Sequence, residues 1–427
     1  MIIHVVMQGE TVASIAAKYN VTAVSIIQNN QLQFPERLVV GQTLVILQAR
    51  TVHRVSQGES LFTIAAEYGI SVMNLLQNNP RLANQETLRI GEELVIEYEV
   101  EKTKTLETNG YAYQYIDRQL LRSILPYLTR LTIFGYGFTR DGGLLPTDDE
   151  ELIALAYEFR TIPILLLSSI TEGGAFSNEL ASAMFNDIAA QYRLIGNLLS
   201  VMIEKGYQGI DIDFEFVKAD DKQNYIDFVE RVTRSMHENG FTVNVDLAPK
   251  TSADQPGLLY EAHDYAALGA IADTVLLMTY EWGYTYGPPM AVAPVFQVRR
   301  VVEYAVTEIP KDKIFMGVPN YAYDWPLPFV RGETAATTIG NEQAVDIARN
   351  YGVAISYDEA AMSPYFYYTA ADGTEHVVWF EDARSIRAKL LLINEYNLRG
   401  PGYWNVMRQF TQNWLVINSM FYILKRL

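Results

Sequence analysis

A chain of 427 residues, 49% of them hydrophobic, is long enough for two or three domains and at least one large core. Its formal charge of −17 is uneven: the first hundred residues hold six Lys and Arg against nine Glu, the rest 27 against 41. Such an acidic body repels phosphate backbones and anionic lipid, which argues against nucleic acid and membrane partners, and the absence of cysteine excludes disulfides, thiolate metal sites and a Cys nucleophile.

The opening residues carry neither the basic region nor the apolar run of a signal peptide, and no stretch approaches a membrane span. The expectation is synthesis in a cytosol without ordinary secretion. An internal repeat then fills the first hundred residues. Gln8-Gly9-Glu10-Thr11 and Ile15-Ala16-Ala17-Lys18-Tyr19 recur as Gln57-Gly58-Glu59-Ser60 and Ile64-Ala65-Ala66-Glu67-Tyr68. Gln28-Asn29-Asn30 recurs as Gln77-Asn78-Asn79, and Gly41 to Ile46 as Gly91 to Ile96. Each unit reads as strand, helix capped near Thr11 or Ser60, second helix after Val21 or Ile70, and closing strand.

These two βααβ units, 1–48 and 49–98, resemble LysM modules along their full length. The resemblance implies binding of N-acetylglucosamine-containing glycans between the first strand-to-helix loop and the segment after the second helix. It points to Gly9, Glu10 and Thr11 with Asn30, Gln31 and Leu32, and to Gly58, Glu59 and Ser60 with Pro80 and Arg81. The glycines also serve as turn residues.

After a polar linker, Glu97 to Thr105, strand-like apolar runs alternate with helical patterns over 103–427. The runs are Leu106 to Tyr113, Leu131 to Phe138, Ile162 to Ser168, Gly209 to Phe216, Thr242 to Ala248, Thr274 to Tyr280, Lys313 to Pro319 and Gly402 to Val406. Eight strands with intervening helices predict an α/β fold, a (β/α)₈ TIM barrel. A stretch of about 327–378, rich in Tyr and Phe, is too long for a loop and predicts a small α+β insertion between strands seven and eight.

The fourth run, Gly-Ile-Asp-Ile-Asp-Phe-Glu-Phe (209–216), is the most informative. In a strand Asp211, Asp213 and Glu215 share one face, while Ile210, Ile212, Phe214 and Phe216 share the other. Crowded carboxylates beside apolar packing resist ionisation, and a proton held near neutral pH suits a general acid. Chemistry in such barrels gathers at the carboxyl ends of strands. Asp213 and Glu215 end the fourth, Tyr280 and Glu281 the sixth, Asn320 and Tyr321 the seventh, and Trp404 and Asn405 the eighth. Acids, phenols and an indole form a sugar-binding inventory. Acids two residues apart, roughly 6.6 Å along the chain, approach a sugar from one side, so the motif supplies no opposite-face nucleophile, a part that a substrate could play through a 2-acetamido oxygen of its own.

Gln208-Gly209-Ile210-Asp211-Ile212-Asp213-Phe214-Glu215 resembles the glycoside hydrolase family 18 signature. Met278-Thr279-Tyr280-Glu281 resembles that family's sixth-strand motif, and Trp404 its eighth-strand tryptophan. The resemblance implies catalytic roles for four residues. Glu215 is the acid and later the base, Asp213 orients the acetamido group, Asp211 tunes Asp213, and Tyr280 bonds the acetamido oxygen. Substrate binding falls to Trp404, Glu281, Tyr321, Asn320 and Trp282. Three departures stand out. Gln208 replaces an Asp, weakening a charge relay behind Asp211; Glu281 replaces an Asp; and Ser168 to Gly174 holds the third-strand Ser and Gly pair at altered spacing.

Two LysM modules ahead of this barrel, with the runs Ala248 to Ala253, Tyr260 to Tyr265, Met278 to Tyr284 and Trp379 to Ile386, resemble the spore cortex-lytic N-acetylglucosaminidases, or spore germination proteins, of Bacillus type. That implies a retaining β-N-acetylglucosaminidase on cortex peptidoglycan or its fragments during germination. It would be made in the mother cell and placed at the spore coat and cortex boundary. No metal and no cofactor are expected, and a monomer is. The alternatives are a non-catalytic glycan-binding coat protein, or a chitinase or endo-N-acetylglucosaminidase on another polymer.

Overall fold

The computed structural model describes residues 1–85, 87–171 and 176–427. In each N-terminal module the closing strand pairs antiparallel with the opening one: Thr43–Ile46 with Ile2–Val5, and Glu93–Tyr98 with Ala49–Arg54. Two helices lie between, Val12–Tyr19 and Ala23–Asn29 in the first module, Leu61–Glu67 and Val72–Asn78 in the second. Thr11, Thr22, Ser60 and Ser71 start them, each hydroxyl accepting the N–H three residues on and satisfying a free donor of the first turn.

The repeated Asn pair ends the second helices for a physical reason. Asn30 Nδ2 donates to Ile26 O (3.0 Å) and Val45 O (2.9 Å), and its Oδ1 accepts from Val45 N–H (2.8 Å). Asn79 makes the same three bonds with Leu75 and Val95. One amide thus serves as a length of backbone that ties helix to closing strand.

Eight parallel strands close a barrel: Asn109–Tyr113, Arg130–Tyr136, Ile162–Ser168, Gly209–Asp213, Thr242–Leu247, Thr274–Leu277, Ile314–Pro319 and Gly400–Trp404. The last pairs with the first through Gly402 opposite Asn109 and Tyr403 opposite Gly110. Closure demands close backbone approach: a Cβ on Gly400 would lie 1.7 Å from Glu107 O. Helices cover the outside. Lys222–Glu238, for example, buries Tyr225, Phe228, Val229, Val232 and Met236 against the fourth and fifth strands.

The expected TIM barrel is thus present, with several expected strand ends moved. The fourth strand stops at Asp213, because pairing to the third ends at Ser168 and pairing to the fifth at Val245. Phe216 therefore leaves the apolar face and is 42% exposed, while Phe214 stays buried among Phe138, Phe185 and Phe228. The first run divides. Lys104–Leu106 pairs with Phe421–Ile423 in a separate two-stranded sheet, and the barrel strand starts at Asn109. The insertion is a five-stranded antiparallel sheet carrying the helix Asn341–Tyr351, and it begins at Ala322, directly after the seventh strand.

The modules are docked on the barrel. Gln77 Nε2 donates to Pro126 O (2.8 Å) and Tyr127 OH to Gln77 O (2.7 Å), and Leu75, Leu76 and Leu82 join the barrel's continuous core. The first module keeps a small core of its own around Val12, Ile15, Ile26 and Leu44. It also gives Val45 and Leu47 to the barrel's core and Val39 to the core of the insertion, and adds polar contacts, Thr43 with Gln412 (2.7 Å) and Arg349 Nε to Arg37 O (2.9 Å).

Candidate active site

The alternation of the fourth strand directs Asp211 and Asp213 into the barrel, where they are 0% and 4% exposed. Glu215 lies two residues beyond the strand end, half-buried at the mouth. Asp211 is deepest and is fully engaged: Tyr111 OH donates to its Oδ2 (2.8 Å) and Asn244 Nδ2 to its Oδ1 (2.7 Å). The same hydroxyl and amide reach Asp246 Oδ1 at 2.9 and 3.0 Å. A phenol has one proton to give, so Tyr111 serves the two carboxyls by turns. Burial raises both, Asp246 well above the usual carboxylate range, with the charges of Asp211 and Asp213 adding to the shift of Asp246.

Asp213 is raised well above its usual value by burial, then by the charges of Glu215 and Asp211. Its Oδ1 is buried and has no hydrogen-bond partner among the described residues. Burial, then the charge of Glu281, pushes Glu215 up to about 7, the range of a group that must both give and take a proton near neutrality. Tyr280, 8% exposed, is kept protonated by burial and by the surrounding acids, foremost Asp246 and Asp213.

Asp213, Glu215, Asp246, Tyr280 and Trp282 line a cavity of about 310 Å³. Trp404 and Glu281 also border it, and both border a second cavity of about 590 Å³ with Tyr113, Tyr115, Tyr321, Tyr323 and Arg408, so the two form one cleft. Trp404 is braced edge-on by Tyr111 (5.9 Å) and Phe134 (5.7 Å), which fixes its ring as one wall. Glu281 has a left-handed backbone (φ 66°) that turns its carboxylate toward Tyr321 OH and Tyr323 OH, the latter at 3.0 Å. Its pKa is raised by the crowding of protein around it, against the pull of these phenols.

Asn320, read in the sequence as a sugar contact, also has a place in the framework of the cleft. Its Nδ2 donates to the carbonyls of Asn405 and Arg408, both at 2.9 Å, holding the loop that follows Trp404. Gln208 stands at the opposite end of its strand, exposed, donating to Tyr157 OH (2.7 Å). The expected relay behind Asp211 therefore does not run through Gln208; Tyr111, Asn244 and Asp246 occupy that place. Of the Ser168 to Gly174 segment, Ser168 pairs with Asp213 in the barrel, whereas Glu172, Gly173 and Gly174 lie outside the described residues.

Tyr111, Asn244 and Asp246 were legible by the rule that found the acids, since Asn244 and Asp246 alternate with Val243 and Val245. Tyr113 follows Tyr111 by the same alternation, whereas Tyr323 and Arg408 carry no such signal, because the insertion and a loop bring them to the cleft.

In the modules, Glu10 accepts from Met7 N–H (2.8 Å) and pairs with His4 (2.9 Å); Glu59 does the same with Ser56 (2.6 Å) and His53 (2.8 Å). These bonds close the Gly9 and Gly58 turns, both at positive φ. Thr11 and Ser60 are helix caps and Asn30 is bound to backbone at both ends. Gln31, Leu32, Pro80 and Arg81 instead line a groove of about 1030 Å³ between the modules.

The model of glycosyl hydrolases family 18 matches residues 147–408, and that of the LysM domain matches 4–47 and 53–97. A cortical fragment-lytic enzyme of Bacillus subtilis is 43% identical over 429 residues, covering 100% of this chain and 99% of that one. The crystal structure of the Bacillus megaterium spore cortex-lytic enzyme superposes with a TM-score of 0.84 at 38% identity, over 100% of this chain and 99% of the other. A Chromobacterium violaceum chitinase matches 74% of this chain and 98% of its own at 25% identity and a TM-score of 0.69. The chain belongs to glycosyl hydrolases family 18, with two LysM domains ahead of the barrel in the full-length arrangement it shares with the cortical fragment-lytic enzymes.

Proposed function

We propose that the protein is a retaining, substrate-assisted β-N-acetylglucosaminidase acting on spore cortex peptidoglycan or its fragments, with its LysM modules on the same glycan. The observation that carries this reading is Asp213 Oδ1, a buried acceptor with no partner among the described residues, in the cavity that holds Glu215 and Tyr280. A buried lone acceptor is costly unless a ligand satisfies it. An acetamido N–H is the donor that fits, and bonding it turns the acetamido oxygen toward the anomeric carbon, with Tyr280 OH donating to that oxygen.

Glu215 then protonates the glycosidic oxygen as the acetamido oxygen displaces it, giving an oxazolinium ion. The carboxyl of Asp213 stands behind the developing positive charge, with Asp211 and Asp246 deeper in the barrel. Glu215, now ionised, takes a proton from water, which opens the ring with overall retention. Glu281 is a poor rival nucleophile, because two phenols hold its carboxylate. The names of the full-length relatives favour cortex as substrate.

Glu215→Gln tests the reading: release of reducing ends from cortex fragments is lost while glycan binding survives, and N-acetylglucosamine-thiazoline blocks the native enzyme. Undiminished hydrolysis by the variant, or insensitivity to the thiazoline, overturns it. Product masses from cortex, vegetative wall and chitin then fix the polymer.

A further inference from the structure

Arg408 is a cation in the second cavity, whose other charges are acids already engaged. Glu281 is bound by Tyr321 and Tyr323, and Asp117 caps a helix by accepting Leu120 N–H (2.8 Å). The Arg408 guanidinium has no hydrogen bond or ion pair among the described residues, although the side chain is half-buried. Its backbone is fixed by Asn320, and its stem runs beside Gly340 of the insertion, where an added Cβ would meet Arg408 Cδ at 3.5 Å. A positioned, unpaired guanidinium in a protein of net charge −17 is placed to accept an anion that the rest of the surface repels.

We propose that Arg408 is a specificity residue that binds a carboxylate carried by the sugar next to the one being cleaved. This rests on the reading of the protein as an N-acetylglucosaminidase of peptidoglycan. There the N-acetylglucosamine seated against Asp213 and Tyr280 is flanked by a muramic residue, and the second cavity, reached past Trp404, receives it. A muramic residue offers a carboxylate either as its own lactyl group or at the end of its peptide stem. Chitin oligomers and the muramic lactam ring offer none on the sugar. The stacked pair Tyr113 and Tyr115 (5.4 Å, 18°) gives the same cavity a platform for the ring itself.

The test measures calorimetric affinity on the full chain in a Glu215→Gln background, so that it does not depend on turnover, together with KM and kcat on the active enzyme. Four tetrasaccharides serve as probes: muramic acid with a free lactyl group, muramic acid with peptide stems, muramic lactam without stems, and chitotetraose. Arg408→Gln should weaken binding and raise KM about tenfold or more for a carboxylate-bearing probe, with kcat kept and the lactam and chitin probes unchanged. Arg408→Lys should restore part of the loss. A response from the first probe alone identifies the lactyl group, and one from the second alone the stem; both support the proposal. An equal loss on all four probes, or none on any, overturns it. Failure of Glu215→Gln to stop hydrolysis would instead strike the catalytic reading and leave the affinity comparison standing.

Discussion

Glu215 owes its elevated pKa to two different neighbours, the protein that buries it and the charge of Glu281, and the consequences separate. As an acid it must be protonated to act, so kcat/KM should fall about tenfold per pH unit above about 7. Glu215→Gln should cost about 10²- to 10⁴-fold in kcat, and Glu281→Gln should shift the pH limb downward. The linkage to stability has a definite sign. The folded value is raised from 4.5 to about 7, so the folded chain keeps a proton that the unfolded chain releases. That contribution is full below about 4.5 and lost as pH rises through about 7. The melting temperature of Glu215→Gln relative to the parent should therefore climb between those limits; a flat difference would show that Glu215 is not raised.

Strand alternation made the acids legible as a constellation, because a period of two is enforced by the backbone. It also carried Asp246 and Asn244 on the next strand, where one acid among valines gave a weaker pattern than three. What sequence could not give was the end of the fourth strand. Pairing stops where the neighbours diverge, a property of three strands together, and Phe216 turned outward for that reason. The repeated Gln-Asn-Asn shows the opposite case: the resemblance to LysM modules pointed to Asn30 as a ligand contact, while the regularity of the repeat comes from tying helix to strand. Asn79→Ala should destabilise its module by about 2 to 3 kcal/mol, since it strands Val95 N–H and two carbonyls. Denaturant unfolding measures this, and a loss under 0.5 kcal/mol, the range of ordinary surface substitutions, would contradict it. Gly400→Ala should be worse, because its Cβ meets the Glu107 carbonyl in a barrel seam that cannot widen locally.

At the scale of the molecule the two similar modules are physically unequal. The second shares one core with the barrel, while the first keeps a small core of its own and lends Val39, Val45 and Leu47 to its neighbours. Hydrogen exchange should find the amides of Leu75, Leu76 and Val95 protected alongside the barrel strands, and those of Ile15 and Leu44 opening at lower free energy; the reverse order would refute the shared core. Such docking leaves the barrel mouth, the insertion and the Trp404 loop as the parts that set the substrate. The central claim is that the substrate's acetamido oxygen attacks, guided by Asp213 and Tyr280. Its most direct test is the rate on a series of glycosides whose N-acetyl group carries zero, one, two or three fluorines. Participation predicts kcat falling steeply with each fluorine as the carbonyl oxygen loses nucleophilicity; rates independent of fluorination would contradict it.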